Sequence, residues 1–110
     1  MNVYDTANKL ATEIKESEEY KNYKKSKELV MSNNELKEKI DEFEKVRYDV
    51  QVLALKGEQA NEEKMLKLQE LYTILIQNKE IKDYFDLEVK FNVMVADVNK
   101  IIGEAIKEVL

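Results

Sequence analysis

The chain has no cysteine, histidine, proline or tryptophan, and only two glycines, Gly57 and Gly103. Without cysteine there can be no disulfide and no thiolate site for a metal or cluster, which suits the reducing cytoplasm. Without histidine the chain lacks the usual general base at neutral pH and the commonest metal ligand. A Ser-His or Cys-His nucleophile pair cannot be assembled, nor can the Glu-x-x-His units of a carboxylate di-iron bundle. Two widely separated glycines make no phosphate-cradling loop, and the spacing of a calcium-binding loop is missing. No apolar run approaches the roughly 20 residues that span a bilayer. The best candidates, Val50 to Leu55 and Tyr72 to Ile76, are short and interrupted. The polar opening Met1-Asn2-Val3-Tyr4-Asp5 is unlike a signal peptide. These absences point away from an enzyme, a cofactor protein or a membrane protein.

What is present is helix-forming and amphipathic. The 110 residues amount to one domain, 1–110, with 44% apolar and 37% charged side chains. Lys, Glu and Leu are the commonest residues, and no proline interrupts long helices. The formal net charge of −5 disfavours direct binding of nucleic acid.

Capping signals divide the chain. Asn2 precedes a helix expected over about Val3 to Glu16, with Asp5 in its first turn and one narrow stripe of Val3, Ala7, Leu10, Ala11 and Ile14. Ser17-Glu18-Glu19 signals a second start, of a helix carrying Tyr20, Tyr23, Leu29, Val30 and Met31 and ending near Ser32-Asn33-Asn34. Asn33 then caps a long helix from Asn34 to Lys56, whose inner stripe is Leu36, Ile40, Phe43, Val46, Val50 and Leu53, widened by Tyr48, Val52 and Leu55. Gly57 suits the left-handed position that closes a helix. Glu58-Gln59-Ala60 form a short connection, and Asn61-Glu62-Glu63 open a helix with Met65, Leu68, Leu71, Tyr72 and Leu75 on one face. Asn78 interrupts the chain before a final helix that runs to about Val109.

That last helix carries the strongest pattern. Ile81, Glu88, Val95, Ile102 and Val109 are spaced by seven, and so are Tyr84, Phe91, Val98 and Ala105. Leu87, Met94 and Ile101 lie beside them, so the apolar face is wider than one partner helix covers. There is also a faint repeat at an offset of 45: Asn33, Glu35, Lys37 and Asp41 recur as Asn78, Glu80, Lys82 and Asp86. It reads either as two similar capping sequences in a biased composition or as a pair of kinked arms folding back at Gly57.

Self-association follows from the uncovered face. Burying each large apolar side chain is worth roughly 1.5–3 kcal/mol, and a two-fold dimer is the commonest way to do so. The interface candidates are Tyr84, Leu87, Glu88, Phe91, Met94, Val95, Val98, Ile101 and Ile102. The competing reading is a monomer in which the first helix covers the whole face. Glu88 occupies an apolar row, where a carboxylate must be paired, hydrogen-bonded or neutral. It reads as a structural group that bonds a Lys, a Tyr or backbone across the interface, and remotely as the centre of a carboxylate enzyme. Lys21, Lys24, Lys25 and Lys27, interleaved with Tyr20 and Tyr23, form a candidate RNA contact by charge and stacking. Glu18, Glu19 and Glu28 around them favour a solvated, ion-paired face instead.

The opening Asn2-Val3-Tyr4-Asp5-x-Ala7, the Ser17-Glu18-Glu19-Tyr20 start, the Lys56-Gly57-Glu58 turn, the Glu88 row and Asp97-Val98-Asn99-Lys100-Ile101-Ile102 resemble the YlbF/YmcA family of small bacterial helical regulators. The likeness is nearest to the YheA-like branch and covers nearly the whole chain. It implies a helical-hairpin dimer and relatives that act as adaptors in competence, sporulation and biofilm development. Those relatives form a complex that affects RNA processing and can carry iron–sulfur clusters. Cluster ligation does not carry over to a chain without cysteine, and no catalytic residues carry over. The expectation is an all-α, long, kinked antiparallel helical hairpin with an extra N-terminal helix, assembled as a helical-bundle homodimer. Its expected function is that of a non-catalytic cytoplasmic adaptor or regulator with an unknown protein partner. The alternative is an accessory factor of RNA processing that contacts RNA or a ribonuclease.

Overall fold

The computed structural model describes residues 2–57 and 62–110, and every regular element among them is a helix. Five are present: α1 (Val3–Glu16), α2 (Glu18–Met31), α3 (Asn34–Leu55), α4 (Glu62–Leu75) and α5 (Lys79–Ile106). Several boundaries have a local cause. The Asn2 side chain accepts from the Tyr4 N–H at 2.7 Å, and Ser17 Oγ accepts from the Tyr20 N–H at 3.2 Å. Asn33 and Asn78 make the same bond one repeat apart, accepting from the N–H groups of Leu36 and Ile81, each at 3.2 Å. Both satisfy donors that the first helical turn leaves open. Gly57 adopts φ +73°, in the region only glycine enters cheaply, and ends α3 as its sequence position implied. The expected connection Glu58-Gln59-Ala60 and the helix-opening Asn61 lie outside the described residues.

The chain resolves into two compact units, Met1–Lys27 with Tyr84–Leu110, and Glu28–Asp83. We call them unit 1 and unit 2. Unit 2 holds most of the core. Of the nine buried apolar side chains, seven belong to it: Val30, Leu36, Ile40, Phe43, Val46, Leu75 and Ile81. Here α3 and α4 pack against each other, antiparallel because the chain between them is short. Phe43 meets Tyr72 with ring centroids 6.1 Å apart, and Lys67 reaches Glu42 at 3.9 Å. The capped starts of α3 and α5 lie side by side, with Asn33, Glu35 and Lys39 lining one shallow cavity with Asn78, Lys79 and Glu80. The repeat-related pairs Leu36/Ile81 and Ile40/Phe85 are all buried.

Two details depart from the sequence reading. Tyr48 and Leu55, which the spacing places beside the α3 stripe, are 65% and 87% exposed. A helix packed on one neighbour buries a stripe only about 100° wide, and these two positions fall outside it. The last helix ends at Ile106 instead of near Val109, and in the turn that follows Val109 and Leu110 both donate to the Ile106 carbonyl.

Unit 1 is built differently. It contributes two residues to the buried set, Tyr84 and Phe85. No residue of α1 is buried, and only Leu10 and Ile14 on its stripe are half-covered. An aromatic cluster joins α2 to α5: Tyr23 stacks on Tyr84 at 5.7 Å and contacts Phe91 at 5.5 Å, and Tyr20 meets Phe91 at 6.0 Å.

Candidate functional site

Heptad spacing on α5 puts the candidate interface residues on one side of a helix, and the structure grades their exposure along it. Tyr84 is buried. Leu87, Glu88, Phe91, Met94, Val95 and Val98 are half-buried. Ile102 is 49% and Ile101 71% exposed, and Val109 beyond the helix end reaches 85%. The first helix does not enclose this face. It forms one wall of an open apolar groove of about 450 Å³, in which Val3, Ala7 and Leu10 face Ile102.

A second groove of unit 1, about 490 Å³, shows what the sequence reading passed over. Val89 and Val93, 60% and 53% exposed, line it with Met94, Val98 and Ile101. Neither valine belongs to the seven-residue rows. Their signal was the four-residue step Val89, Val93, Asp97, Ile101, which wraps the apolar band further around the helix. Glu19, Lys90 and Asp97 give that groove a mixed polar rim.

Glu88 has a partner within its own chain. The Tyr23 hydroxyl donates to its Oε2 at 3.2 Å. Burial holds the Tyr23 phenol well above the usual tyrosine range, and the adjoining Tyr84 and the negative charge of Glu88 raise it further. Tyr23 therefore stays a protonated donor at any physiological pH. The pair locks α2 to α5 through a charge-assisted hydrogen bond beside stacked rings.

Lys21, Lys24, Lys25 and Lys27 are all exposed on α2. Tyr20 and Tyr23, which would have to stack with bases, instead turn onto Phe91 and Tyr84. Among the described residues no group of three carboxylates is placed to hold a metal ion, and no helix is long and apolar enough to cross a membrane.

A family model described as control of competence regulator ComK, YlbF/YmcA, fits residues 3–107. The chain belongs to the YlbF/YmcA family. It is 38% identical over 106 residues to a UPF0342 protein of Caldicellulosiruptor bescii, covering 96% of this chain and 89% of that one. A UPF0342 protein of Desulfitobacterium hafniense is 36% identical over 110 residues, covering 100% and 89%. A solved chain from Bacillus stearothermophilus, described as a protein of unknown function (DUF964), superposes with a TM-score of 0.83 at 17% identity over 96% of this chain and 93% of its own. At that identity it establishes the shared fold. Three of the residues that carry the resemblance have local structural roles: Ser17 caps α2, Gly57 closes α3, and Glu88 accepts from Tyr23. The family is described by regulation, and neither that description nor these relatives' names denotes an enzyme.

Proposed function

We propose that this YlbF/YmcA chain is a non-catalytic, cytoplasmic protein-interaction adaptor or regulator that works as a homodimer, paired through the apolar surface of unit 1. The observation that carries this is the apolar surface that unit 1 leaves open: Val89, Val93, Ile101 and Ile102 are 60%, 53%, 71% and 49% exposed, and each such side chain contributes roughly 1.5–3 kcal/mol when covered. Unit 1 is also nearly neutral, with ten acidic and nine basic side chains, so self-pairing meets little repulsion.

A direct RNA contact draws on the four exposed lysines of α2 alone, since the neighbouring tyrosines are engaged on α5 and the chain is acidic overall. The Glu88 carboxylate is occupied by Tyr23, which supports a structural role. Sedimentation equilibrium at micromolar concentration tests the proposal. A mass near twice 13.0 kDa is expected, and a single species at 13.0 kDa would overturn self-pairing.

A further inference from the structure

Unit 2 offers a second apolar surface of different electrical character. Phe43, Met65, Leu66, Leu68, Gln69 and Tyr72 line an open groove of about 400 Å³ on the α3–α4 pair. Met65, Leu66 and Tyr72 are 47%, 59% and 44% exposed, while Phe43 beneath them is buried. Residues Glu28–Asp83 carry 13 acidic and nine basic side chains, so unit 2 holds −4 of the chain's −5. Next to the groove residues, Arg47 is paired with Glu44 and lies over the Phe43 ring, Lys67 is paired with Glu42, and Glu62, Lys64 and Glu70 are exposed on α4.

We propose that this groove docks an amphipathic, lysine- or arginine-rich helix of another protein, which deepens the adaptor reading by naming the chemistry of its partner. Charge selects the occupant. A second copy of unit 2 would set two −4 surfaces face to face, which opposes association. Unit 1 of a second copy has a net charge of −1, which gives no attraction. Anionic lipid and nucleic acid are repelled by the same field. A helix with apolar anchors at i, i+3, i+4 and i+7 and basic flanks satisfies both the groove and its surroundings. Methionine and tyrosine in the lining suit such docking, because one adapts its shape and the other combines an apolar body with a polar tip.

The probes are two synthetic peptides of about 14 residues, the length of a typical docking helix. Both place leucines at those anchor positions. One has lysine and the other glutamate at the remaining positions. Each is titrated into the ¹⁵N-labelled full chain. The lysine peptide is expected to bind saturably and to shift amides of α3 and α4 around Phe43 and Tyr72, with no such response to the glutamate peptide. The double variant Met65→Ser, Leu66→Ser, at exposed positions, should weaken the lysine peptide about tenfold or more. Tyr4→Ser, at a position of unit 1 that is 78% exposed, should leave its affinity unchanged. Equal binding of both peptides, shifts confined to unit 1, an unaffected Met65→Ser, Leu66→Ser double variant, or no binding at all would each overturn the proposal. The mass from sedimentation reads the homodimer separately, so a monomeric chain that still binds the lysine peptide refutes the dimer and keeps the groove.

Discussion

Replacing Ile101 with lysine puts a charge in the exposed C-terminal part of the apolar band of α5 while leaving the folded subunit almost untouched. The isoleucine is 71% exposed in the isolated chain, so its replacement removes little intrachain packing. In a two-fold pairing the same side chain is lost from both copies. Full burial of an isoleucine is worth about 1.5–3 kcal/mol, and the exposed share of it, counted twice, comes to about 2–4 kcal/mol. That corresponds to a dissociation constant raised roughly 30- to 1,000-fold, before any cost of burying two ammonium groups. Sedimentation equilibrium across a dilution series measures it directly, and helical circular dichroism at a concentration where both forms are monomeric checks that the subunit remains folded. An Ile101→Lys chain that stays fully dimeric at the same concentrations would refute the assignment of the interface to this band.

Tyr23→Phe removes a hydrogen bond to a carboxylate and should lower stability by about 1.5–3 kcal/mol at neutral pH in a denaturant titration. The pH dependence carries its own sign: the folded phenol is held above its ordinary value near 10, so its contribution is complete below that pH and is lost as pH rises beyond it. Wild-type stability should therefore fall in alkali above about pH 10 more steeply than that of Tyr23→Phe, as read by thermal melts at stepped pH. Ile40→Ala, at a position 1% exposed in unit 2, should cost about 2–5 kcal/mol in a urea titration. Asn33→Ala and Asn78→Ala should each cost about 1 kcal/mol, and near-equal values would express the equivalence of the two capped starts.

Much of the molecule was readable before any coordinates. The helix starts at Asn2, Ser17, Asn33 and Asn78 and the stop at Gly57 are short-range events, decided by hydrogen bonds within three or four residues. The stripe Leu36, Ile40, Phe43 and Val46 was legible for the same reason, because its spacing is that of the helix itself. The groove of unit 2 was not. Met65 and Tyr72 read as core, and only the placement of α4 on Phe43 leaves them half in solvent. Tyr23 read as a companion of the lysines, yet Glu88 lies 65 positions away and no local pattern links the two.

The sequence alone determined that the regular elements among the described residues would be helices, where four of the five begin, and which residue types are missing, since propensity, capping and residue inventory are local properties. Only the tertiary structure decided how much of each apolar stripe is covered. Val95 and Ile102 occupy one seven-residue row, yet the first is half-buried and the second is 49% exposed. Periodicity defines a face, but burial requires a neighbour at that height along the helix, and that depends on the packing of distant segments.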